Sequence, residues 1–241
     1  MNDYRKRLLL EVGITKDLNT ISRKEWNDLS IEDKLSEEFI EEFQKKLDWY
    51  NISQHQKLSD NFIRKYKNLV LWNLVSIYQK LSENLIEENK EFVDWEYISR
   101  FQILSETFIQ KFEDQVNWHY VSVYQKLSES FIEKYKNKVE WYCISEHQEL
   151  SEEFIIKFRN EIDWEELSRN KSLPESILEA YKKEIEFHFV FHCKKISFEN
   201  IKKFIGRTAF KNISEIKNSH LSEQEKQEIQ KILDVKNMFN K

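Results

Sequence analysis

The sequence predicts an all-α fold, an α-solenoid of stacked short two-helix repeats forming a superhelical array. Three observations carry that prediction. Trp49, Trp72, Trp95, Trp118, Trp141 and Trp164 stand 23 residues apart without a slip, and self-similarity at a fixed short period marks stacked units that touch only their neighbours. Gly13 and Gly206 are the only glycines and Pro174 the only proline in 241 residues, which leaves little material for hairpin turns, phosphate-binding glycine loops or flexible linkers. Within each unit the apolar residues recur at helical spacing rather than alternating.

Taken in order, residues 1–11 read as an N-terminal cap, 12–218 as the repeat array and 219–241 as a C-terminal capping helix. A solenoid needs such caps to cover its end faces. Residues 12 to 25 match the repeat poorly, yet Trp26, Leu29 and Ser30 take the places that Trp49, Ile52 and Ser53 hold in the next unit. The clearest stretch, 35–172, holds units that begin at Leu35, Leu58, Leu81, Leu104, Leu127 and Leu150, and weaker ones follow at Leu173 and Ile196.

The unit Leu104–Lys126 shows the logic. Ser105 is placed to cap a first helix, and Glu106 in its first turn complements the helix dipole. Phe108, Ile109, Phe112 and Val116 form one apolar stripe, with Gln110, Lys111, Glu113 and Asp114 facing away. Asn117, where other units carry Asp48, Asp94 or Asp163, announces a second helix that places Trp118, Val121, Ser122 and Gln125 on one face. Helices of about two turns are marginal alone because nucleation is costly, so stacking must supply the stability. Trp118→Ala is then expected to cost about 3–5 kcal/mol as the truncation of a buried aromatic.

The second helix carries a further stripe. Leu74 and Tyr78, Tyr97 and Phe101, Tyr120 and Tyr124, and Cys143 and His147 are i, i+4 pairs on the side away from the Trp and Ile columns. Either it packs as an inner layer, or it is an aromatic surface that grips a partner. From this stripe and its neighbours come the candidate binding residues Tyr78, Tyr97, Phe101, His119, Tyr120, Tyr124, Tyr142 and His147. Two columns that vary from unit to unit, Tyr50, Asn73, Glu96, His119, Tyr142 and Gln54, Ile77, Arg100, Val123, Glu146, supply variation on a constant frame.

The other recurring polar residues read as structural. Ser53, Ser76, Ser99, Ser122 and Ser145 sit four residues after a Trp, where a small residue lets helices approach. Gln56, Gln79, Gln102, Gln125 and Gln148 lie at a helix C-terminus, where an amide can satisfy unpaired carbonyls; the competing reading is a ladder that reads an extended backbone. Glu37, Asp60, Glu83, Glu106, Glu129, Glu152 and Glu175 fall in first turns, where a carboxylate is favourable by about 0.3–1 kcal/mol. His188, His192 and Cys193 are the only local group with metal-ligand chemistry, but no fourth ligand is evident and the array is degenerating there. No catalytic residue, cofactor or metal is expected.

Composition narrows the partners. A net charge of −5 gives no overall attraction to phosphate backbones, which disfavours nucleic acid. Cys143 and Cys193 are far apart and suggest neither a disulfide framework nor a zinc motif, which fits a reducing, cytoplasmic setting. No apolar run approaches the roughly 20 residues that a membrane helix needs, and the N-terminal leucines are too few for a signal peptide.

The pattern written here as LSETFIQKFEDQVNWHYVSVYQK and LSESFIEKYKNKVEWYCISEHQE resembles short helical repeat proteins of giant DNA viruses and of phages of low-G+C bacteria. The resemblance runs from Leu35 to Ser172 and fades after Pro174, where Phe187 and Phe210 stand in the Trp column. It implies a viral or phage origin and an interaction role, with no catalytic residues to carry over. The enrichment in Ile, Lys, Asn and Glu also suits a genome poor in G and C. The expected function is therefore a non-enzymatic scaffold that binds a protein partner, a host or defence factor. The alternatives are a nucleic-acid-binding solenoid whose aromatics stack on bases, and a self-assembling structural array.

Overall fold

A computed structural model describes residues 3–31, 35–217 and 219–239. The outermost ends of the two expected caps, and residue 218 where the array was expected to end, lie outside the described residues. The protein is an α-solenoid: among the described residues there are 18 α-helices and no strand. The chain divides into two compact units, 1–117 and 118–241.

In the first unit α1 (Asp3–Glu11) and α2 (Arg23–Ile31) precede three full repeats and the first helix of a fourth. The first helices are α3 (Glu37–Phe43), α5 (Asp60–Lys65), α7 (Glu83–Glu88) and α9 (Glu106–Lys111). The second helices are α4 (Trp49–His55), α6 (Trp72–Tyr78) and α8 (Trp95–Phe101). A serine caps each first helix, as where Ser59 Oγ accepts the Phe62 amide at 3.2 Å. After α5 the chain does not straighten at once. Leu69 and Val70 both donate to the Tyr66 carbonyl, and that extra turn carries Val70 onto the buried face with Phe62, Ile63 and Tyr66.

Second helices pack on second helices of the neighbouring repeats, α2 on α4, α4 on α6 and α6 on α8. The deepest column is aliphatic. Ile52, Val75 and Ile98 are fully buried, whereas Trp49, Trp72 and Trp95 are only half-buried. The sequence places the Trp column in the core; Trp26 is buried there, but the rings of Trp49, Trp72 and Trp95 instead roof its margin. Trp49 lies over Phe62 and Tyr66 of the next repeat at 6.4 and 5.4 Å, and its indole N–H reaches the Gln44 carbonyl at 3.1 Å. A large ring with one polar edge gains most where the face is covered and the N–H keeps a partner. Where Leu85 and Asn89 replace the two aromatics, Trp72 stacks on Phe92 at 6.1 Å.

The second unit repeats this arrangement in α10 (Trp118–Tyr124), α11 (Glu129–Lys134), α12 (Trp141–His147), α13 (Glu152–Lys157) and α14 (Trp164–Arg169). It continues through α15 (Ile177–Ala180), α16 (Phe187–Cys193) and α17 (Phe198–Phe204) to the long α18 (Glu223–Phe239), which packs on α17. Phe187 takes the Trp role and stacks on Phe204 at 4.5 Å. No α-helix begins at Phe210; only a 3-10 turn, Ile213–Glu215, occupies that stretch. Ile229 and Leu233 form the buried stripe of α18.

Candidate functional site

The recurring polar residues tie each repeat to the next. Ser53 Oγ donates to the Trp49 carbonyl at 2.7 Å and accepts the Leu71 amide at 3.0 Å. Ser145 does the same with Trp141 and Asp163, at 2.7 and 3.0 Å. The column serines are buried, and each hydroxyl is committed to backbone on both sides. Gln79 accepts the Leu58 amide at 3.0 Å and donates to the Ser53 and Gln56 carbonyls at 2.9 and 2.7 Å. Gln102 and Gln148 make the equivalent bonds. These amides are spent on the preceding repeat, which favours the structural reading of the ladder. In the last clear repeat the role passes to Asn170, whose shorter side chain donates to the Ser145 and Gln148 carbonyls, both at 2.8 Å.

The acidic column also reaches across repeats. Glu37 accepts the Ser59 amide at 2.6 Å and its hydroxyl at 3.1 Å, and Glu83 receives Ser105 at 2.5 and 3.1 Å. Each carboxylate thus holds the cap serine of the following first helix, as well as standing in its own first turn. Lys65, Lys111 and Lys157 pair with Glu41, Glu87 and Glu133 of the preceding repeat. The constant serine, glutamine and acidic columns are therefore used between repeats.

The second stripe divides along its length. Its near members are covered: Leu74 and Cys143 are buried, and Tyr97 and Tyr120 half-buried. Its far members Tyr78, Phe101, Tyr124 and His147 are exposed. In the first unit Tyr78 stands at the end of α6, and the Tyr97 and Phe101 rings lie 6.2 Å apart on α8. In the second unit Tyr120 and Tyr124 lie 6.1 Å apart, His119 meets Tyr120 edge-on at 5.1 Å, and Tyr142 lies 6.0 Å from His119. Tyr124 and His147 also line a shallow cavity of about 220 Å³ with Lys126 and Glu149. In one variable column Tyr50, Asn73, Glu96 and Tyr142 are exposed and His119 half-buried; in the other Arg100 is exposed, and Gln54, Ile77, Val123 and Glu146 are half-buried.

At the start of α12 four side chains converge that sequence spacing did not connect. His119 Nδ1 lies 3.3 Å from Glu140 Oε2, 3.0 Å from Tyr142 Oη and 3.6 Å from Cys143 Sγ. A hydrogen bond with Cys143, burial and the Glu140 carboxylate push the Tyr142 phenol up to about 12. Burial raises the Cys143 thiol; Tyr142 opposes the shift, while Glu140, Glu146 and Glu166 add to it. Among the described residues, His119, Glu140 and Cys143 are the only set of three or more His, Cys, Asp or Glu placed to share an ion. The sequence signal lay in Glu140, which stands where Asp48, Asp94 and Asp163 stand in other repeats. His188, His192 and Cys193, singled out from the sequence, form no such set.

No protein-family model, curated protein or solved structure matches this chain. Its class therefore rests on the fold: a helical repeat protein with a period of about 23 residues and aromatic clusters between repeats. No described helix is long and apolar enough to cross a membrane.

Proposed function

We propose that this protein is a non-enzymatic repeat scaffold that docks a protein partner on the open faces of its second helices. One observation carries the reading. The serine, glutamine and acidic columns are consumed between repeats, while aromatic side chains at Tyr78, Phe101, Tyr124 and Tyr142 stand 44 to 52% exposed. Leaving such rings in water is unfavourable unless they serve an interface, and aromatic residues are enriched in interface cores.

The finer reading is a viral or phage protein that binds or inhibits a host or defence factor in the cytoplasm. It rests on the resemblance of the repeat and on two free cysteines, which suit a reducing compartment. Nucleic acid is the weaker partner, because the net charge is −5 and Lys65, Lys111 and Lys157 of the first helices are already paired with carboxylates.

The test is copurification from host cells with and without nuclease treatment, comparing the parent with Tyr78→Ala/Phe101→Ala and with Tyr124→Ala/Tyr142→Ala. A stoichiometric protein lost in either variant, with helicity retained, supports the proposal. Recovery of nucleic acid alone, or a mass that grows with concentration and no partner, replaces it with the groove-binding or self-assembling alternative.

A further inference from the structure

We propose that His119, Glu140 and Cys143, with Tyr142 beside them, bind one divalent transition-metal ion of the zinc class where α10 meets α12. The proposal concerns a distinct ligand and does not depend on the docking function.

Geometry comes first. A tetrahedral zinc ion with bonds of about 2.0–2.3 Å separates its ligand atoms by about 3.3–3.8 Å. His119 Nδ1 stands 3.3 Å from Glu140 Oε2 and 3.6 Å from Cys143 Sγ. The three ligand atoms all lie within 4.8 Å of one another, and Tyr142 Oη lies 3.0 Å from the same nitrogen. One imidazole nitrogen carries a single proton or a single lone pair, so it cannot hydrogen-bond well to three heteroatoms at once. A shared cation resolves that crowding.

The second argument is the repeat itself. Asp48, Asp94 and Asp163 turn their carboxylates back to cap their own helices. Glu140 holds the same place before α12 but makes no side-chain cap bond; its longer arm reaches His119 on α10 instead. Three positions on, Cys143 stands where Tyr97 and Tyr120 stand in their repeats, and His119 stands in a variable column. Three positions that differ from repeat to repeat thus meet at one contact, and each brings a ligand atom.

Donor type selects the ion. A thiolate, an imidazole and one carboxylate suit zinc-class ions, whereas calcium and magnesium favour sets of oxygen ligands. On binding, the Cys143 S–H bond breaks, a sulfur–metal bond forms and the proton leaves to solvent.

Titration of the full chain with Zn2+ by calorimetry, and with Co2+ by visible absorption, tests the site. One ion per chain is expected, with a thiolate-to-cobalt charge-transfer band and a Tm that rises with Zn2+. His119→Ala, at a half-exposed position, and Glu140→Gln should each weaken binding about 10-fold or more. Cys143→Ala should abolish the sulfur band, and Cys193→Ser should leave it intact. Absence of binding at micromolar Zn2+, or binding that survives His119→Ala and Glu140→Gln in folded protein, overturns the proposal. So does a sulfur band that follows Cys193.

Discussion

A single glutamine per repeat satisfies an amide and two carbonyls that the chain leaves at the end of each second helix. In Gln79→Leu the shape is kept but the Leu58 amide and the Ser53 and Gln56 carbonyls lose their partner. Unpaired buried backbone groups cost about 1–3 kcal/mol each. A loss of about 3 kcal/mol or more is expected in urea unfolding; a change within about 0.5 kcal/mol would mean the ladder is dispensable. The core columns give a second comparison. Ile144 is fully buried, so Ile144→Ala should cost about 3–4 kcal/mol. Trp141 is half-buried over Phe154 and Phe158, and Trp141→Ala should cost less, about 2 kcal/mol. The same half-burial of Trp118 lowers the cost expected from sequence for Trp118→Ala. A larger loss at Trp141 than at Ile144 would return the Trp column to the centre of the core. Sequence periodicity revealed that these residues share a face. It did not rank their depth, because depth depends on how closely neighbouring repeats approach.

The helices of the repeat are six or seven residues long, too short to persist alone, so each depends on bonds that arrive from its neighbours. Glu175 illustrates the dependence. Burial pushes its carboxyl up, but the Ser197 hydroxyl, the Asn200 amide and the Ser197 N–H together hold it below the ordinary carboxylate value. A carboxylate with a lowered folded-state pKa contributes stability that is present above the unfolded value, about 4.3, and is lost as pH falls through the folded one. Glu175→Gln should therefore flatten the decline in urea midpoint below about pH 4.5. An unchanged acid profile would remove this carboxylate from the inter-repeat link. The acidic column was legible as a set of first-turn residues, but its second task was not. Reaching a serine 22 residues later, as Glu37 reaches Ser59, is a consequence of stacking distance, which local pattern does not encode.

A protein built from units that touch only their neighbours should shorten by whole units without losing its fold. Deleting residues 58–80 joins Lys57 to Leu81 in register and brings an equivalent Leu amide within reach of its Gln partner. The variant should keep its helical content per residue and unfold with a denaturant m-value lower by about a tenth, in proportion to 23 of 241 residues. Loss of cooperative unfolding would mean that the repeats are not interchangeable. The sequence by itself determined the class of fold, the period, the capping serines and the division into constant and variable columns, because these follow from residue type and spacing along one chain. Only the tertiary structure decided that the Trp rings roof the core, that the serine, glutamine and acidic columns cross between repeats, and that His119, Glu140 and Cys143 meet. Each of those facts depends on how far one repeat is translated and rotated onto the next, and that operation brings residues of different repeats, distant along the chain, into contact.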